Sequence, residues 1–239
     1  MRKVVTPDEA VSHLKDGMTL MLGGFLDVGI PLKLVEKLLD YDVKDLTLIF
    51  TCGSMPGGKF GSAPLFEQKG KIKKVITSHI GVAPEHLNAY KQGDLEVEFY
   101  PMGTWIEKIR AAGSGLGGVI TPTGMGTLMQ EGRQTITING KEYIVEPPLR
   151  ADVAFVKGYA ADPFGNVQCR YLQRSNNPIM ALAADYVVCE VNEFVDAIDP
   201  DNIHIVGPVL DGIVKGYSFE EENAIYRNLW KERNKLRAS

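Results

Sequence analysis

The chain has little from which to build a disulfide framework or a metal site. Its three cysteines, Cys52, Cys169 and Cys189, are widely spaced with no Cys-x-x-Cys pair. Its four histidines, His13, His79, His86 and His204, are scattered, and no two have metal-ligand spacing. Such thiols are expected to be reduced side chains of a cytoplasmic protein, with no metal site. No apolar run approaches the length of a membrane span, and the N-terminal MRKVVTPDEA lacks the apolar stretch of a signal peptide. The formal net charge of −4 leaves no basic footprint for nucleic acid. Domain linkers, repeats and low-complexity segments are also missing. What remains is ordinary soluble composition: 239 residues, 44% hydrophobic and 23% charged, enough for one sizeable core.

The rest is organised around Asp16 to Pro31, DGMTLMLGGFLDVGIP. Met18 to Leu22 is an uncharged, largely apolar run, as expected of a central strand covered on both faces. Gly23 and Gly24 follow at once and allow a sharp turn with uncovered N–H groups. Pro31 is placed at a first helical position, and LKLVEKLLD continues with helical apolar spacing. A strand, a glycine bend and a helix can make a pocket for a ligand oxygen, or simply a packing turn. No Lys-Ser or Lys-Thr follows the glycines, so this is no phosphate loop, and the glycine register is not that of a dinucleotide fingerprint.

Elsewhere, strands and helices alternate. Thr6-Pro7-Asp8-Glu9 reads as a capping box opening a helix. Strands are expected at 45–50, 73–78 and 94–100, and helices at 84–93 and 101–115, with Trp105 in the core. The loop 51–64, TCGSMPGGKFGSAP, follows the second strand, at the edge where α/β proteins bind ligands. Cys52 lies there, but nothing near it in sequence would activate a thiol. The stretch 113–127 is the richest in glycine. QTITINGKEYIVE, 134–146, signals a hairpin around Asn139-Gly140. A buried strand is expected at 152–159, a turn at 161–167, a short helix and a strand over 177–191, and a loop at 198–208. The tail, 219–239, is helical by composition, with Ile225, Leu229, Trp230 and Leu236 as its apolar stripe. This pattern predicts an α/β fold with a mostly parallel, doubly wound sheet and a helical tail.

The central stretch also resembles a family signature. Asp16-Gly17, Leu20-Met21-Leu22, Gly23-Gly24-Phe25, Gly29 and Pro31 match every specified position of the pattern found in α subunits of family I coenzyme A transferases. The segments 121–132, 149–162 and 161–167 resemble family segments in the same order. The resemblance covers roughly 3–216, which implies one transferase domain over 1–216 and a helical extension over 217–239. The fold it implies is shared with ribose-phosphate isomerase-like proteins, so phosphosugar isomerases and ligand-sensing modules are the competing readings. No acid–base cluster or helix-turn-helix pattern supports either.

The resemblance implies transfer of coenzyme A between a short-chain acyl-CoA, of the acetate, butyrate or acetoacetate type, and a free carboxylate. Coenzyme A is then a substrate, and no cofactor is permanently bound. In two-subunit members the nucleophile is a glutamate in a Ser-Glu-Asn-Gly motif of the β subunit, acting through a mixed anhydride and a glutamyl-CoA thioester. That motif is absent here: Gln130 precedes Glu131-Gly132, and Ser218-Phe219-Glu220 has no glycine after it. The chain is therefore expected to hold no catalytic residue of its own and to work with a β subunit, as an α2β2 assembly. Gly23, Gly24, Phe25, Gly29, Pro31, Met102, Gly103 and Thr104 are the candidates for shaping the shared substrate and oxyanion site. Relatives carry glutamine at the position of Met102, and methionine cannot donate a hydrogen bond.

Overall fold

The computed structural model describes residues 4–54 and 61–232. Part of the loop 51–64 and the end of the tail, including Leu236, lie outside the described residues. In chain order the elements are α1 (Pro7–Val11), β1 (Thr19–Leu22), α2 (Leu32–Asp40), β2 (Leu46–Ile49), α3 (Ala63–Glu67), β3 (Ile72–Thr77), α4 (Pro84–Lys91), β4 (Glu96–Phe99) and α5 (Met102–Gly113). They continue as β5 (Val119–Thr121), β6 (Thr135–Ile138), β7 (Lys141–Glu146), β8 (Ala151–Ala161), β9 (Val167–Gln168), α6 (Asn177–Met180), β10 (Ala184–Phe194), β11 (Gly212–Lys215) and α7 (Phe219–Glu232).

The main sheet runs β11-β10-β8-β1-β2-β3-β4, all parallel, with β9 antiparallel to β8. The expected doubly wound α/β sheet is present. Strand order reverses between β1 and β8, so the switch point of the sheet falls at the carboxyl end of β1, where such folds open a crevice. Alternation along β1 decides the layers. Leu20 and Leu22 join the core under α1 and α2, with Val11, Leu34 and Leu38. Met21 joins the core under α5 and α6, with Trp105, Ile109 and Met180. Trp105 is a core residue and donates from Nε1 to the Ile76 carbonyl at 3.2 Å.

Local signals explain several boundaries. Thr6 and Glu9 form the reciprocal capping box, at 2.8 and 3.1 Å. Asn139 and Gly140 both have positive φ, +50° and +76°, and close the β6–β7 hairpin. Together with β5 that hairpin makes a separate antiparallel sheet, β5-β7-β6. Ser218 and Glu221 cap α7 through paired bonds of 2.8 and 3.2 Å. Pro31 stands one position before α2 rather than inside it; its carbonyl accepts from the Val35 N–H at 3.0 Å. No described helix is long and apolar enough to cross a membrane.

Candidate functional site

The signature residues meet at the switch point. Beyond β1 the chain bends at Gly23-Gly24, and Phe25 and Val28 exchange two backbone hydrogen bonds of 3.0 Å. The two residues between them, Leu26 and Asp27, have φ of +50° and +64°. Two successive non-glycine residues in the left-handed region are strained, and such strain persists only where surroundings hold it. Gly29 (φ +73°) then leads through Ile30 and Pro31 into α2.

What holds the turn is α6, which the sequence marks only as a short helix. The Asn176 side chain bonds both polar groups of Gly24: Oδ1 accepts from its N–H and Nδ2 donates to its carbonyl, each at 2.9 Å. Asn176 Nδ2 also reaches Thr51 Oγ1 at 2.5 Å, joining the ends of β1 and β2. Asn177 accepts from the Lys157 N–H at 2.8 Å and donates to the Gly29 carbonyl at 3.2 Å. Gly23 is required by this neighbour, because a Cβ there would lie 1.8 Å from Asn177 Oδ1. The N–H groups of Gly23, Gly24 and Phe25 donate to Phe155 O, Asn176 Oδ1 and Val28 O respectively. In this conformation all three are used inside the chain.

Below the turn lies a charged triad. Lys157 Nζ sits 3.0 Å from both Glu190 Oε1 and Glu222 Oε2, with all three side chains buried. Glu190 also accepts from the Leu34 N–H in the first turn of α2, at 3.1 Å. Burial raises the Glu190 pKa against the pull of Lys157. Burial alone would lower that of Lys157, but the two carboxylates outweigh it and hold it above the usual lysine value. Glu222 comes from α7, so the C-terminal helix is tied to the floor of the site. A cleft of about 320 Å³ opens between Phe219, Tyr226 and Arg227 of α7 and Val28, Gly29 and Gln173.

Met102, Gly103 and Thr104 do not meet the turn. They begin α5 on the same carboxyl edge, three strands from β1, or about 14 Å at the usual strand spacing. Met102 is 42% exposed, and a Cβ on Gly103 would meet nothing within 4 Å. Thr104 is buried, with no hydrogen-bond partner for its hydroxyl among the described residues. Between the two groups lie Thr51, Cys52, Ser78 and His79, with Cys52 bridged to His79. Burial pushes the Cys52 thiol up to about 11, which leaves it a poor nucleophile at neutral pH. All three cysteines are free and buried.

The model of the coenzyme A transferase family matches residues 4–216. The α subunit of acetate CoA-transferase of Escherichia coli K12 is 43% identical over 214 residues, which is 89% of this chain and 96% of that subunit. The α subunit of the acetoacetyl-CoA:acetate/butyrate CoA transferase of Clostridium acetobutylicum is 40% identical over 215 residues, 89% of this chain and 97% of that subunit. Among solved structures, an acyl-CoA transferase of Escherichia coli O157:H7, in a thioester complex with CoA, superposes with a TM-score of 0.80 at 22% identity. The match covers 90% of this chain, which spans about half of that protein, 49%.

Proposed function

The chain belongs to the coenzyme A transferase family, as an α-type subunit, and we propose that it forms half of a site that moves coenzyme A between a short-chain acyl-CoA and a free carboxylate. The observation that carries this reading is the turn at the switch point: its shape is fixed by α6, yet it brings no reactive group. On the β1–β4 side of the carboxyl edge, the stretches Gly23–Ile30, Thr51–Ser54, Ser78–Gly81 and Met102–Thr104 contain one carboxylate, Asp27, buried and bonded to Ser62. On the β8 and β10 side stand Asp162, which accepts from the Phe164 and Asn166 N–H groups of its own turn, and Glu193, which is bonded to Tyr159. The nucleophile then comes from a β subunit carrying Ser-Glu-Asn-Gly. The reading of this chain as an isomerase or a sensor loses its support with family membership.

On this reading the partner's glutamate attacks the thioester carbonyl, the carbon–sulfur bond breaks, and a mixed anhydride and CoA thiolate result. The thiolate attacks the glutamyl carbonyl, releasing the first acid and leaving a glutamyl-CoA thioester. The acceptor carboxylate reverses the sequence. Each step places negative charge on a carbonyl oxygen. The Gly23-Gly24-Phe25 turn contributes its backbone surface rather than N–H donors, since its N–H groups are engaged. Coenzyme A is substrate, no resident cofactor is involved, and the assembly is α2β2. The names of the two relatives support acetate, butyrate and acetoacetyl-CoA as first substrates. Three free buried thiols suit the reducing cytoplasm.

The test is CoA transfer from acetoacetyl-CoA and butyryl-CoA to acetate, with the chain alone and with the β subunit encoded beside it. Transfer in the mixture only is the expected result. Transfer by the chain alone would overturn the shared-site reading.

A further inference from the structure

We propose that the Asp27 carboxylate is a positioning group for the acceptor acid, holding the returning end of the loop after β2 against the site turn. The signature specifies Gly23-Gly24-Phe25 and Gly29 but leaves 26–28 open, so this position is free to differ between subunits that share the turn. Here it holds a carboxylate in a left-handed backbone, 4% exposed. Asp27 Oδ1 accepts from both the N–H and the hydroxyl of Ser62, each at 3.1 Å. Ser62 Oγ in turn lies 2.5 Å from Ser54 Oγ, so the two ends of the loop are closed onto each other at the point where Asp27 holds them. Gly61 fits the same contact, since a Cβ there would lie 2.3 Å from the Asp27 carboxyl carbon. On its other side the Asp27 carbonyl accepts from the Tyr226 hydroxyl of α7 at 2.5 Å.

One residue thus joins three segments that are remote in sequence. Its backbone is continuous with Phe25, and Asn176 ties Gly24 to Thr51 at the start of the same loop. A change at Asp27 moves the wall of the site without touching the reacting atoms. Such a residue sets how well an acid fits, not how fast the thioester is attacked, and its loss is read in KM more than in kcat.

This inference rests on the CoA-transfer reading, so the experiment carries a readout that does not. In the complex with the β subunit, Asp27→Gly removes the carboxylate without strain at a positive φ, and Asp27→Asn keeps an acceptor in a residue that tolerates that backbone. Asp27→Gly is expected to raise KM for acetate about tenfold, with kcat within about twofold, and to change the acetate-to-butyrate preference. Asp27→Asn restores both. Ser62→Ala shifts KM in the same direction and adds little to Asp27→Gly in the double variant. Unchanged KM and preference in a folded Asp27→Gly complex overturns the proposal. So does an equal fall in kcat for every acid that tracks a fall in Tm. Amide exchange at Ser62 and Gly24 is followed in the same variants. Faster exchange at both in Asp27→Gly, restored in Asp27→Asn, supports the coupling even if the wild-type complex transfers no CoA, a result that would sink only the proposed function. Unaltered exchange at both sites overturns the coupling.

Discussion

His86 is buried between Phe50 and Phe66, with ring centroids at 5.7 and 4.0 Å, and neither ring nitrogen has a partner among the described residues. Burial lowers its pKa from 6.5 to about 4. The unfolded chain therefore takes up a proton that the folded chain refuses between those two values. Stability from this group is complete above about pH 6.5 and is lost as the pH falls towards 4, by up to about 3 kcal/mol. Urea titrations at pH 7.5 and 4.5 measure it, and His86→Leu is expected to shrink the difference. At this scale the sequence revealed the residues whose backbone is unusual, because glycine and proline carry that information locally. Gly23, Gly24 and Gly29 do form the turn. It did not reveal what those glycines accommodate. Asn176 and Asn177 lie about 150 residues downstream, and an Asn-Asn-Pro run reads as an ordinary helix start. The partners of Asp27 were hidden for the same reason.

Elements with strong periodicity were legible, and those defined by their neighbours were not. β11 is four residues long and exists because β10 pairs with it; α3 emerges from a glycine- and proline-rich loop. The C-terminal helix was legible as a helix but not in its attachment. Glu222 is one polar residue in an acidic run, Glu220-Glu221-Glu222, yet it faces Lys157 in the interior. That attachment predicts an asymmetry. Lys157→Met leaves Glu190 and Glu222 buried without their cation and is expected to cost about 3–5 kcal/mol. Glu222→Gln keeps an oxygen for Asn192 Nδ2, now 2.5 Å away, and leaves Lys157 paired with Glu190, so it should cost less. Denaturant unfolding of both variants decides the order. A larger loss for Glu222→Gln would mean that α7, not the triad, dominates the stability of this corner.

The whole molecule divides into a sheet with a core on each face and an arm with almost none. Between Ala112 and Arg150 the buried residues are Ile144 and Glu146. Leu116, Ile120, Leu128, Ile136 and Ile138 are exposed. The arm is rooted instead by charge. Glu146 pairs with Lys108 of α5 at 2.8 Å and with Arg133 of the arm, and Lys108 and Arg133 both stack on the Tyr100 ring. An element held by a buried ionic contact and little apolar burial, Ile144 and the partly buried Met129, opens on its own while the doubly covered sheet stays closed. Glu146→Ala should therefore raise amide exchange across 119–146 and leave β1, β8 and β10 protected. It leaves two cations facing each other, at a cost of about 3–5 kcal/mol that falls on the arm rather than on global unfolding. Hydrogen exchange read by mass spectrometry separates the two cases. Uniform loss of protection would mean that arm and sheet unfold as one unit, and that the Lys108–Glu146–Arg133 contact stabilises the whole molecule.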